Sequence, residues 1–148
     1  NNIGTQEGIG FRYVGTNNSI NACNKAAKNS CDGFNFNNNT NAKLLENTSE
    51  ANGKNGFLFQ GSNTNFVLIK NFALSNAKYG FEQTGTFTNS IWIGNKAQNN
   101  GSGDYSLASS FAQQAANVQI IQDKKICCEK VSRNCKADGV NISFQPQI

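Results

Sequence analysis

The sequence predicts an all-β chain wound into a parallel solenoid, a right-handed β-helix of about four coils with a C-terminal cap that has room for a short helix. Three observations carry that prediction. Gly10-Phe11, Gly33-Phe34, Gly56-Phe57 and Gly80-Phe81 each open a segment of about 24 residues, a period that marks repeat architectures. Asn24, Asn47, Asn71 and Asn95 fall in register within those segments, and so do Asn29, Asn52, Asn76 and Asn100. Between the two asparagine columns runs a column of small residues, Ala26, Ser49, Ala73 and Ala97.

Taken in order, residues 1–9 read as the end of a coil, with Gln6 where the second asparagine column would continue upward. A sheet edge left open there is normally capped, so further coils of the same protein are expected before Asn1. Each repeat then opens on a strand whose large residues alternate: Phe11 and Tyr13, Phe34 and Phe36, Phe57 and Phe59, Phe81 and Gln83. Period-two alternation marks a strand with one buried face. Turns rich in Gly, Asn, Ser and Thr follow, around Asn17, Asn38, Asn63 and Asn89, and are expected to point outward. A second strand places Ile20 and Ala22, Val67 and Ile69, Ile91 and Ile93 inward. The second repeat departs from this, because the same register puts Lys43 and Leu45 inside; a local shift turning Leu44 inward would repair it.

Two strands per 24 or so residues leave no room for the crossover helix that parallel pairing usually needs. A coil that returns onto itself removes the difficulty, since each strand then pairs with its equivalent about 4.8 Å along the stack. Coils are expected over residues 1–106 and the cap over 107–148. In the latter, Leu107, Phe111, Ala115 and Val118 have helical spacing, a charged loop follows, and Val140, Ile142 and Phe144 alternate as a closing strand. Solenoids need such an atypical unit over their last apolar layer.

Composition narrows the function classes. Roughly one residue in six is Asn, the net charge is +4, and no lysine or arginine block makes a nucleic-acid footprint. No apolar run has the length of a membrane span. With no histidine and no Cys-x-x-Cys pair, no zinc site or other cofactor is expected. Five cysteines leave one thiol unpaired in a monomer; candidate disulfides are Cys23–Cys31 and Cys135 with Cys127 or Cys128.

The phrase Gly-Phe-x-Phe-x-Gly-Ser-x-x-Asn, followed by Asn-x-Ala-x-x-Asn, resembles the β-helix repeat of the pectate-lyase-like superfamily over Gly10 to Gly103. That resemblance implies a right-handed β-helix and a group that includes polysaccharide lyases and hydrolases, phage tailspikes and non-catalytic surface proteins. Its lyases use arginine or lysine bases with acidic calcium ligands, and its hydrolases use clustered aspartates. Here the repeats hold only Asp32, Glu46, Glu50, Glu82 and Asp104, with Arg12, while Arg133 lies beyond them. These do not converge as two titratable groups on one substrate must. Glu46 and Lys70 occupy equivalent outward positions, which reads as a cross-coil ion pair worth about 0–1 kcal/mol.

A non-enzymatic structural or adhesive role on a cell, secreted or virion surface is therefore expected, through glycan binding or self-association as a trimer or filament. The rival readings are a carbohydrate-active enzyme whose catalytic coils lie upstream, and a viral or phage fibre or capsid-associated component. The candidate contact surface is an apolar outer strip of Leu44, Phe66, Leu68, Phe72, Leu74 and Trp92, in the phase opposite to the expected core. The C-terminal segment, an oligomer partner or a sugar stacked on Trp92 would cover it. The asparagine columns read as internal ladders, and the glycosylation-type tripeptides at Asn17, Asn38, Asn100 and Asn141 as consequences of an Asn-rich chain.

Overall fold

The computed structural model describes residues 8–107, together with the backbone of one short strand upstream, and is a parallel β-solenoid of about four coils. In chain order the strands are β1 (Ile3–Gly4), β2 (Phe11–Val14), β3 (Ile20–Ala22), β4 (Lys25–Ala27), β5 (Phe34–Asn37) and β6 (Lys43–Leu45). Then come β7 (Thr48–Glu50), β8 (Phe57–Gln60), β9 (Ser62–Thr64), β10 (Val67–Ile69) and β11 (Phe72–Leu74). The last five are β12 (Tyr79–Gln83), β13 (Thr86–Thr88), β14 (Ile91–Ile93), β15 (Lys96–Gln98) and β16 (Gly103–Ser106).

Equivalent strands of successive coils pair in four sheets: β2-β5-β8-β12-β16, β3-β6-β10-β14, β1-β4-β7-β11-β15 and the short β9-β13. Bridges Asn17–Thr40 and Thr40–Thr64 carry the short sheet's line up through the earlier coils. Each coil therefore has more faces than the two expected. The small-residue segment between the asparagine columns is itself a strand. The Gly/Asn/Thr segment after each opening strand also runs extended, with Asn39, Asn63 and Phe87 buried in it.

Like residues stack at the coil repeat. Phe11, Phe34, Phe57 and Phe81 lie face to face with ring centroids 4.8, 4.8 and 4.7 Å apart, and Tyr105 ends the column 5.6 Å from Phe81. A second column runs Tyr13–Phe36–Phe59 at 4.9 and 5.6 Å. Stacking of this kind adds about 0.5–1.5 kcal/mol per pair beyond the area buried. The next place in that column falls to Gln83, half-buried, whose amide donates to the Gly85 carbonyl at 2.8 Å. Phe87 fills the gap from the neighbouring strand, 5.0 Å from both Phe59 and Phe66.

The second strand corrects the expected phase. Leu44, Leu68 and Phe66 are fully buried, and they join the Phe columns and Trp92 in one core cluster. Their neighbours face out: Ile20 is 66% exposed, Lys43 is exposed, and Val67 and Ile91 are half-buried. The register is continuous, with Lys43 beside Val67 and Leu44 beside Leu68, so no local shift occurs in the second repeat.

The reason is the corner. Positive φ recurs at Asn18, Cys23 and Lys28 in the first coil, Asn41, Glu46 and Ala51 in the second, and Asn65, Lys70 and Ser75 in the third. A left-handed residue reverses the chain locally and breaks the two-residue alternation on either side of it. Leu68 and Asn71 consequently both face inward, although they are three positions apart; Ile69, expected inside, is buried too but stands outside the cluster that holds Leu68. Asn fills much of this set because its short amide tolerates the left-handed region.

The Gly-Phe pairs have a steric cause. A Cβ at Gly56 would lie 2.5 Å from the Gly80 carbonyl oxygen, 2.8 Å from Asn76 Nδ2 and 2.9 Å from Ala73 Cβ. The coil is thinnest where the first strand meets the small-residue strand, so the glycine and alanine columns require each other. Gly56→Ala is expected to cost about 1–3 kcal/mol of stability, as overpacking does, read as a lowered urea midpoint with unchanged m-value.

Candidate functional site: the inner ladders and the outer faces

Both asparagine columns are continuous internal ladders. Asn71 Oδ1 accepts from the backbone N of Asn47 at 3.0 Å and from its Nδ2 at 2.9 Å. Asn71 Nδ2 in turn donates to Asn95 Oδ1 and to the Leu44 carbonyl, both at 2.8 Å. Asn24 enters the same column through its backbone N, 3.0 Å from Asn47 Oδ1. The second column repeats the scheme: Asn29 to Asn52 at 2.8 Å, Asn52 to Asn76 at 2.8 Å, and Asn76 to Asn100 at 2.9 Å between side chains. Asp104 ends it, accepting from the N and Nδ2 of Asn100 at 3.3 and 2.9 Å. An acceptor-only carboxylate suits the end of a ladder that runs donor to acceptor.

A third, shorter ladder was missed. Thr16 N and Oγ1 donate to Asn39 Oδ1 at 2.8 and 2.6 Å, and Asn39 N donates to Asn63 Oδ1 at 3.1 Å. Asn63 was expected to point outward; it is fully buried. The 24-residue separation of Asn39 and Asn63 matches the other columns and was its signal.

Side chains on the outside form files. Thr40, Thr64 and Thr88 stack on the line of the short sheet, with Thr88 Oγ1 3.3 Å from Thr64 Oγ1. Beside them runs an exposed amide chain, Asn65 to Asn41 at 2.9 Å and Asn41 to Asn17 at 3.0 Å. Ser62 and Thr86 complete this polar face, with Asn38 accepting from Ser62 N at 2.8 Å.

The carboxylates are also placed. Asp32 is buried and accepts from Asn55 N and Nδ2, both at 3.1 Å, and from Asn35 Nδ2 at 3.2 Å. The same Asn55 amide donates to Glu82 Oε2 at 2.7 Å, so one asparagine ties the two acids across two coils. Glu50 pairs with Lys25 on the outside of β4 and β7. Glu46 and Lys70 stand at equivalent corners, each with its backbone N bonded to the next coil at 2.9 Å. No group of three acidic, cysteine or histidine residues is placed to hold a metal among the described residues. Burial raises the phenol pKa of Tyr13 and of Tyr105, where the Asp104 charge adds to the rise.

The expected outer strip divides. Leu44, Phe66, Leu68 and Trp92 belong to the core, with Trp92 edge-on to Phe81 at 4.7 Å, so no sugar platform exists there. Phe72 and Leu74 flank the buried Ala73 and are half-buried on the outside of β11, where Phe72 lines a shallow depression with Lys70, Gly94 and Lys96. Cys23 is disulfide-bonded while Cys31 is a free thiol, so the expected Cys23–Cys31 pair does not form. Cys23 sits at a corner and the strand β4 separates it from Cys31, which holds the two apart. Cys127, Cys128 and Cys135, the glycosylation-type Asn141, and the cap expected beyond Leu107 lie outside the described residues.

Comparison with family models, curated proteins and solved structures finds no match to this chain.

Proposed function

We propose that this solenoid is a non-enzymatic, adhesive scaffold of a secreted or surface protein of the pectate-lyase-like kind, and that its polar face binds a polysaccharide. The observation that carries the reading is the outer double file in which half-buried Thr40 and Thr64 and exposed Thr88 run beside exposed Asn17, Asn41 and Asn65. A repeating polymer meets such a face with the same hydrogen-bonding groups at every coil. The Cys23 disulfide supports an oxidising, extracytoplasmic setting. The internal ladders and stacked rings supply the rigidity that keeps the files in register.

The test is retention of the purified chain on insoluble polygalacturonate, cellulose and chitin, with product formation followed in the same tubes. Retention without release of new chain ends is expected. The double variant Thr64→Val, Thr88→Val is expected to bind about tenfold more weakly, since each lost hydrogen bond is worth about 0.5–1.5 kcal/mol. Failure to bind any of the three polymers, or turnover of one of them, would overturn the proposal.

A further inference from the structure

The polar face is open and carries no charge. On β9 and β13, Ser62, Thr86 and Thr88 are exposed and Thr64 is half-buried, flanking the inward Asn63 and Phe87. The adjoining corner adds exposed Asn65 and Asn89. Hydroxyls and primary amides of this kind both donate and accept hydrogen bonds. The arcs of chain that build the face, residues 13–24, 33–42, 55–69 and 83–95, contain no Asp, Glu, Lys or Arg. Charged side chains stand on other columns: Arg12 and Glu82 on opening strands, and exposed Lys54 and Lys78 stacked beyond the second asparagine column. Phe66 and Phe87, the aromatic residues nearest in sequence to these polar groups, are buried, so ligand contact here rests on hydrogen bonds and not on ring stacking.

On the reading that this face binds a polysaccharide, we infer that the polymer is uncharged, a glycan of hydroxyl or acetamido groups such as cellulose or chitin, and not a uronate or sulfate polymer. Anionic groups are recognised by Arg or Lys through charge-assisted hydrogen bonds, and the arcs of this face hold neither. Moved onto it, an anion would lose hydration and gain no opposite charge. A hydroxyl or acetamido group meets no such loss, because Thr and Asn can replace water on both its donor and its acceptor side. The groups also repeat, at about 4.8 Å from coil to coil and about 6.6 Å along each strand, so successive sugars meet the same partners. The net charge of +4 still draws acidic polymers, but to lysines on the other columns, by an attraction that salt screens. Salt therefore separates the two kinds of binding.

Depletion of the full chain from solution tests this at low and high salt, using crystalline cellulose, chitin, the same cellulose with its primary hydroxyls oxidised to carboxylates, and polygalacturonate. Retention on cellulose or chitin should be equal at both salts, and at high salt it should exceed retention on either acidic polymer. Salt-sensitive retention on the acidic polymers alone overturns the inference and leaves polysaccharide binding standing; retention on none of the four overturns both. The double variant Thr86→Lys, Thr88→Lys should bind the neutral polymer about tenfold more weakly, since two hydroxyl partners are lost. The double variant Lys54→Gln, Lys78→Gln, off the face, should bind it as the parent chain does. Unchanged binding in the threonine variant, or loss of binding in the lysine variant, moves the site off this face and overturns the inference.

Discussion

Replacing Asn71 with leucine is expected to lower the unfolding free energy by about 4 kcal/mol, roughly two orphaned buried groups at the 1–3 kcal/mol each carries plus the loss of the remaining bonds. The side chain is fully buried and makes bonds on both sides of its coil. Leucine leaves the backbone N of Asn47 without its acceptor and the Leu44 carbonyl without one of its donors. Low surrounding dielectric makes each such loss dear, and neighbouring bonds in the column weaken with it. Against a typical domain stability of about 5–15 kcal/mol, that is a severe change. Urea denaturation followed by circular dichroism measures it, with Asn17→Ala as the comparison. Asn17 also accepts an amide hydrogen bond, from Asn41 at 3.0 Å, but on the exposed side. Its loss should fall within about 0.5 kcal/mol, as for surface positions generally. Equal losses at the two sites would show that the buried column is not a special source of stability.

Much of this fold is written in the sequence as position rather than as propensity. Columns of glycine, phenylalanine and asparagine recur at the coil period because each residue meets its own equivalent above and below, as Phe34 meets Phe57. Period alone therefore locates the coils, the ladders and the parallel pairing. It does not locate the faces. The inward direction can be carried along a strand by alternation, but not past Asn65 or Lys70, whose positive φ resets the count. For that reason Leu44, Phe66, Leu68 and Trp92 read as surface, and Val67 and Ile91, which are half-buried outside the core cluster, as core. One residue in the chain contradicted that reading: Lys43, which a core could not accommodate and which is exposed. The outer polar files were legible only as turns, because Thr64 and Asn41 acquire their neighbours through coil stacking and not through sequence proximity.

Leu68→Lys is the substitution that decides the phase, and it is expected to abolish folding at 37 °C. Leu68 is fully buried between Leu44 and Trp92, and no carboxylate is paired with it in the core cluster. An ammonium there would lose its hydration without a partner, a cost that exceeds the 2–5 kcal/mol of simple truncation. Val67→Lys, one residue away, should cost about 1 kcal/mol, near the centre of ordinary point substitutions. The chain itself already carries out that exchange, because Lys43 is the registered neighbour of Val67 on the outside of β6. Thermal melting of the two variants gives the comparison directly. Should Val67→Lys unfold the chain while Leu68→Lys leaves it intact, the core lies on the other side of the strand, and the outer apolar face lies where Leu44, Leu68 and Trp92 stand. The expected order instead follows from the corners: they leave Val67 and Ile91 half-buried on the outer side of β10 and β14, and Leu68 and Trp92 in the core.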